Sequence, residues 1–242
     1  MRRLFVSDLH LADADDVHFR AFATLLGSTR ADEIYLLGDV CEVWVGDDDD
    51  DPLAQRLVDL LATTARRARV FVMHGNRDFL YGEAFERASG ATLIDDPHRL
   101  DDGLLLAHGD AFCIDDQAYQ EVRRLLRTPA WQADVLARPL SERRALAGSM
   151  REHSQVANAN KAENIMDVSA DEVARVMREH GASLLIHGHT HRPGIHRSDW
   201  GRRFVLGAWE RCGWALEQRG ERFELRCFGL GSAAVETPAL TL

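Results

Sequence analysis

Five times along this chain a short apolar run stops on a polar cluster that holds Asp, His or Asn, usually beside a glycine. The stretches are LFVSDLH (4–10), EIYLLGD (33–39), VFVMHGNRD (70–78), GLLLAHGD (103–110) and SLLIHGHTH (183–191). Runs of this length, rich in Leu, Val, Ile and Phe, read as buried strands. Helical signals lie between them. Phe19, Phe22, Leu25 and Leu26 recur at helical spacing. Asp51-Pro52 supplies an N-cap and a proline at the first helical position, ahead of a stripe of Leu53, Leu57, Leu60 and Leu61. Ser169 and Glu172 form a capping box for a helix with Val173, Val176 and Met177 inward, stopped by Gly181. RFVLGAW and RFELRCF read as closing strands, and the stretch after Leu230 as a loose tail. Alternating strands and helices indicate an α/β core, where ligands gather at the carboxyl ends of strands. Any single cluster has an ordinary structural reason, because Asp and Asn start turns and cap helices. Five independent clusters at one edge of the sheet are better explained by something they bind together.

A chain of 242 residues can form one large domain or two small ones. Its formal charge of −10 argues against broad nucleic-acid binding, which needs a basic face. Cys41, Cys113, Cys212 and Cys227 form no C-x-x-C pair and sit in or beside apolar runs, so reduced core thiols are expected. Met1-Arg2-Arg3 leads straight into LFVSDLH, so no signal peptide is expected, and no apolar run is long enough to span a bilayer.

The clustered residue types define a chemistry. Asp8 and His10 are two apart, so in extended chain they project to the same side. Asp39 follows a glycine and can bridge two cations through its two oxygens. Asn76 offers a neutral carbonyl oxygen, and His108, His189 and His191 offer imidazoles. A mixed nitrogen and oxygen set without thiolate suits Mn²⁺, Fe²⁺ or Zn²⁺ rather than Ca²⁺ or a structural zinc. Seven candidate ligands are too many for one ion and suit a bridged pair. Metals about 3.5–4 Å apart are phosphoryl-transfer machinery.

Asp8-Leu-His10, Gly38-Asp39, Gly75-Asn76, His108 and Gly188-His189-Thr190-His191 follow in order the motif series of the calcineurin-like metallophosphoesterases, and the chain resembles that family over most of its length. The resemblance implies a four-layer αββα sandwich over residues 1–242 as a single domain, with a helical insertion at about 115–165 acting as a lid. It further implies that Asp8, His10, Asp39 and His191 hold one metal and that Asp39, Asn76, His108 and His189 hold the other. His187 then either supports these ligands or joins them. Most of the superfamily has His after the Asn, usually assigned as the acid that protonates the leaving group. Here the residue is Arg77. Arginine stays protonated and pairs with phosphate oxygens. An alkoxide leaving group needs a proton, whereas a phosphate with a second pKa near about 6 departs as an anion. Arg77 therefore favours P–O–P over phosphoester cleavage.

Residues 117–161 carry Arg123, Arg124, Arg127, Arg138, Arg143, Arg144, Arg151 and Lys161 against four acidic residues, in a chain that is otherwise acidic. Ser154, Asn158 and Lys161 share one helical face. Trp131, Val135, Leu136, Leu140, Leu146 and Met150 offer apolar surface nearby. Such a segment suits an amphiphilic anion or an anionic bilayer surface. GDDDDDP (46–52) reads as a solvated loop leading into a capped helix, because consecutive aspartates cannot all face one ion.

LLGDVCEVWVGDDD, HGNRDFL, HGDAFCIDDQAYQ, NANKAENIMDV and IHGHTHRP are similar to the branch of the superfamily that acts on UDP-2,3-diacylglucosamine in the lipid A pathway. This resemblance implies two Mn²⁺ ions per chain, Asp39, Asn76, Arg77 and His189 as the catalytic set, and substrate contacts from Asn76, Arg77, Asp116, Ser154, Asn158, Lys161 and His189. It implies a peripheral enzyme on the cytoplasmic face of the inner membrane, with no nucleic-acid or protein partner expected. The alternatives are a phosphodiesterase or nucleotide pyrophosphatase for a soluble substrate, and a metal-free scaffold. Retention of all seven candidate ligands speaks against the scaffold.

Overall fold

A computed structural model of the chain describes residues 1–159, 165, 167–231 and 240–241, with backbone alone for 155, 157–159, 240 and 241. The first half runs β1 (Arg2–Val6), α1 (Val17–Ser28), β2 (Glu33–Leu37), α2 (Pro52–Ala65), β3 (Arg69–Met73), α3 (Glu83–Ser89), β4 (Thr92–Ile94), β5 (His98–Arg99) and β6 (Leu104–Ala107). The second half runs α4 (Gln117–Leu126), α5 (Pro129–Leu136), α6 (Leu140–Ala159), α7 (Ala170–Glu179), β7 (Leu184–His187), β8 (Gly194–Ser198), β9 (Gly201–Val205), β10 (Gly213–Arg219), β11 (Arg222–Phe228) and β12 (Leu240–Thr241). Helix starts follow the local chemistry. The Asp51 side chain accepts from Leu53 N ahead of Pro52, and Ser169 accepts from Glu172 N. Gly181, at φ 58°, ends α7 in the left-handed conformation that glycine adopts at little cost.

The strands form two sheets. One has seven strands in the order β12-β11-β10-β1-β2-β3-β4, and the other has five in the order β5-β6-β7-β9-β8. The polar-ended strands β1, β2 and β3 run parallel in the first sheet, and β6 and β7 run parallel in the second. The clusters therefore lie along two sheets and not one edge. Apolar packing explains why. Leu4, Val6, Ile34, Leu36, Val70 and Val72 face a core shared with Phe22, Leu26, Leu57 and Phe85 of α1–α3. The alternate residues Phe5, Tyr35, Leu37 and Met73 face Leu104, Leu106, Leu184, Ile186 and Phe204 of the other sheet. Leu105, Ala107 and Leu185 then pack against Val173, Val176 and Met177 of α7. Helices, two sheets and a helix form the four layers.

Two strand expectations change. RFVLGAW does not close the first sheet: β9 lies between β7 and β8 in the second. The stretch after Leu230 is not simply loose, because its described residues return as β12 and pair Leu240 with Leu225 and Thr241 with Glu224. Cys41 and Cys113 are buried thiols as expected, whereas Cys212 and Cys227 are only half-buried, with Sγ atoms 2.8 Å apart.

The aspartate run leads into the capped helix α2 with Asp48, Asp50 and Asp51 exposed, as expected, but it is also tied to the body. Asp47 accepts from Trp44 Nε1, Gly82 N and Phe85 N, at 3.1, 3.1 and 2.9 Å, and so ties down the start of α3. Asp48 takes the Arg143 guanidinium in a bidentate pair at 2.7 and 2.5 Å, and Arg144 bonds Asp49 and Asp50. Arg143, only 3 % exposed, also donates to Val45 O at 2.7 Å. This clamp seats α6 on the body. Arg143→Ala leaves the Val45 carbonyl without that donor, so a loss of about 1–3 kcal/mol is expected. Asp48 is largely exposed, so its share is small. Faster proteolytic cleavage between residues 117 and 159 than in the wild type would report the unseated helices; an unchanged cleavage rate would rule the clamp out.

Candidate metal centre

The polar residues converge through strained backbone. β1 ends at Val6, so Asp8 and His10 do not share a strand face as expected. Both are left-handed, at φ 53° and 50°, and so are Asp39 (52°), His189 (67°) and His191 (56°). Such residues cost on the order of 1–3 kcal/mol each and persist only where the surroundings over-determine them. Asp78 is one such support. Its buried carboxylate accepts from Asp39 N, Val40 N, Cys41 N and Gly75 N at 2.7 to 3.2 Å, locking the loops after β2 and β3 together. Glycine supplies the closeness. A Cβ on Gly75 would lie 2.1 Å from Asp39 Oδ1, and one on Gly188 would lie 2.2 Å from Asp8 Oδ2.

Asp8, His10 and His191 bring ligand atoms within 4.8 Å of one another, and so do Asp8, Asp39 and His108. His10 Nε2 and His191 Nε2 are 3.2 Å apart, and His191 Nε2 is 3.6 Å from Asp8 Oδ1, a buried oxygen with no hydrogen-bond partner. Asn76 Oδ1 receives His108 Nε2 at 3.0 Å and His189 Nδ1 at 2.9 Å, and His108 Nε2 is 3.8 Å from Asp39 Oδ1. A cation about 2.0–2.2 Å from each of its ligands sets those ligands roughly 3–3.5 Å apart. An orphaned carboxylate oxygen and two facing imidazole nitrogens fit a divalent cation better than any proton arrangement. All seven expected ligand residues come together at the facing ends of the two sheets.

Charges without a cation are strained in the same sense. Burial works against a charge on His108, yet Asp39, Asp110 and Asp8 raise it to about 9. Burial pushes the Asp39 carboxyl up to about 6, against the pull of His108 and His10. Asp8 is held below the usual carboxylate range despite its burial, chiefly by His191 and His108. Burial, then His108, lowers His189 to about 4. His187 faces elsewhere: its Nδ1 is 2.9 Å from Gly188 O and its Nε2 is 3.4 Å from Arg203.

The expected substrate-contact residues are less uniformly gathered. Arg77 is at the centre, with its N–H on Asp39 Oδ1 at 2.8 Å. Asp116 is buried and caps α4 by accepting from Tyr119 N at 3.1 Å. Ser154 lies on the exposed side of α6, Asn158 is in that helix by its backbone, and Lys161 lies outside the described residues. Several neighbours gave no sequence signal. Glu42 lies 3.2 Å from His10 Nδ1 and 2.7 Å from Arg77, and Glu210 lies 3.4 Å from His191 Nδ1. Tyr119 stacks 6.1 Å from His189 with its hydroxyl on the buried Asp110, which also holds Arg123. The aspartate after His108-Gly109 was the one available hint of that network.

A two-sheet α/β sandwich with this divalent-metal cluster between its strand ends defines a metallophosphoesterase, and residues 1–193 match the profile of the calcineurin-like phosphoesterases, the family to which the chain belongs. The fold is shared with Vps29 from Cryptosporidium parvum (TM-score 0.54, 12 % identity, 100 % of this chain and 97 % of that one). It is also shared with a zinc complex of Vps29 from Entamoeba histolytica (TM-score 0.51, 14 % identity, 100 % and 99 %). At much higher identity the chain is similar to UDP-2,3-diacylglucosamine hydrolases, and that is its branch within the family. The relative from Cellvibrio japonicus is 44 % identical over 93 % of this chain and 98 % of its own length. The one from Pseudomonas aeruginosa strain UCBPP-PA14 is 46 % identical over 90 % and 95 %.

Proposed function

We propose that this protein hydrolyses the diphosphate of UDP-2,3-diacylglucosamine, releasing UMP and 2,3-diacylglucosamine 1-phosphate, with two Mn²⁺ ions. In this reading Asp8, His10, Asp39 and His191 hold one ion, and Asp39, Asn76, His108 and His189 hold the other. Bound cations of this kind neutralise phosphate oxygens and lower the pKa of water. The observation that carries the reading is Arg77. Its backbone is fixed to Asp39 and its guanidinium stands beside the cluster, where the family resemblance leads one to expect a proton-donating histidine. Arg77 binds and orients the diphosphate with a permanent charge and transfers no proton. The leaving phosphate, with a second pKa near about 6, needs none. Asn76 and His189 complete the wall against which the diphosphate is set.

Helices α4–α6 form a lid for the acyl chains, and the enzyme works at the cytoplasmic face of the inner membrane as a peripheral protein. Ile114, Val122, Leu125, Leu136 and Val156 are large apolar side chains left exposed along this one segment. They replace half of the apolar set expected from the sequence, since Val135 is buried and Trp131 and Leu146 pack against the main core, whereas Leu136 is exposed as expected. No helix among the described residues is long and apolar enough to cross a membrane.

A product assay comparing UDP-2,3-diacylglucosamine with a simple dinucleotide diphosphate tests the proposal. Preference for the dinucleotide would move the activity to a soluble pyrophosphatase. Arg77→Ala is expected to lower kcat by about 10²–10³-fold, as loss of one aligned charge donor does, with metal content unchanged. Arg77→His is not expected to restore the rate. Full activity of the alanine variant on the lipid-linked substrate would refute the role given to Arg77.

A further inference from the structure

Glu42 lies just beyond the bridge between Leu11 and Cys41, and its backbone N–H donates to Leu11 O at 2.9 Å. That fixes its side chain, 11 % exposed, beside the loop that carries His10. One oxygen, Oε1, takes both Arg77 at 2.7 Å and Arg151 at 2.6 Å. The other, Oε2, is 3.2 Å from His10 Nδ1, off the line of a hydrogen bond, and that ring nitrogen is buried with no other partner. Arg151 belongs to α6, the helix clamped by the aspartate run. A single carboxylate thus touches a candidate metal ligand, the phosphate-facing arginine and the lid.

We propose that Glu42 is a positioning residue that links the seating of helix α6 to the metal centre, through Arg151 and Arg77 on one oxygen and His10 on the other. This rests on the reading of His10 as a metal ligand and Arg77 as a phosphate binder. A carboxylate on Nδ1 fixes the tautomer that leaves Nε2 free to ligate and raises its basicity. The two arginines need the same carboxylate for a different reason. Unscreened guanidiniums held against one acceptor repel each other, and Glu42 leaves the pair with one surplus positive charge aimed at the diphosphate. When α6 lifts, Arg151 leaves, Glu42 neutralises Arg77 alone, and the surplus positive charge of the pair is lost.

Mn²⁺ titration of the metal-free protein by calorimetry, alongside a steady-state assay, tests this. Glu42→Gln keeps the shape and removes the charge. It is expected to weaken one of the two Mn²⁺ sites by about 10–100-fold, the usual cost of losing a carboxylate behind a ligating histidine, while the other site stays as in the wild type and so reports an intact fold; the melting temperature of the metal-free protein falls, because two guanidiniums lose their shared counter-charge. Arg151→Met, at a half-exposed side chain, is expected to lower kcat/KM by about 10-fold. That loss should disappear in the Glu42→Gln background, because the coupling runs through Glu42. Unchanged Mn²⁺ affinity of Glu42→Gln beside a wild type that binds two ions overturns the link to His10. Additive losses in the double variant overturn the link to the lid. A wild type that binds fewer than two ions removes the metal reading beneath both.

Discussion

Asp39→Asn is expected to lower kcat/KM by at least about 10³-fold and to reduce the bound metal below two ions per chain, because one carboxylate serves both sites and each is worth several kcal/mol to a phosphoryl transition state. Asparagine is the informative replacement. Like aspartate it tolerates the left-handed backbone, here φ 52°, so the change tests charge and not strain. The metal-free protein should respond in the opposite direction. Burial raises the Asp39 carboxyl to about 6 from an unfolded value near 3.8, so the folded state holds its proton more tightly than the unfolded chain does. Stability is therefore lost as pH rises from about 4 through 6, and that cost persists above. The stability of metal-free Asp39→Asn relative to the wild type should therefore rise as pH goes from about 4 through 6. Differential scanning calorimetry with chelator reads the stability arm and elemental analysis reads the metal arm. Full turnover at unchanged metal stoichiometry would sink the dinuclear reading.

Removal of the acyl chains from the substrate is expected to reduce kcat/KM by about 100-fold or more in detergent solution. Each buried methylene contributes roughly 0.8 kcal/mol, and part of this is offset by drawing the chains out of a micelle or bilayer where they are already dry. The net effect is discrimination between acylated and deacylated UDP-glucosamine rather than very tight binding. Val122, Leu125 and Leu136 are the residues to make polar, since they are exposed while Val135 is buried in the main core. Their combined replacement by serine should lower the preference by at least about 10-fold and leave metal content untouched. Equal kcat/KM for the two substrates would remove the lipid assignment and favour a soluble nucleotide pyrophosphatase.

The metal ligands were legible in the chain because metal chemistry tolerates few residue types and places them at strand ends, where glycines mark the close approaches. Glu42 was not legible, since a glutamate in DVCEVW reads as one more polar residue in a loop. Its meaning comes from Arg151, 109 positions later in the sequence and 2.6 Å away in space. The aspartate run was legible only in part, for a related reason. Like charges in sequence suggest a solvated loop, but Arg143, Arg144 and the backbone of α3 neutralise it from outside. Division into two sheets was also hidden, because LFV of β1 is apolar on both faces and shows no period-two alternation.

The sequence by itself determined the composition of the centre, the cap positions of α2 and α7, and the substitution of Arg77 for a histidine, because each depends on residue type and local backbone geometry. Only the tertiary structure decided that His187 faces Arg203, that Asp116 caps α4, that the aspartate run clamps α6, and that Glu42 stands between lid and metal ligand. Those roles are set by which charges meet across the fold at contact distance, and a charge has no partner until the chain has folded around it.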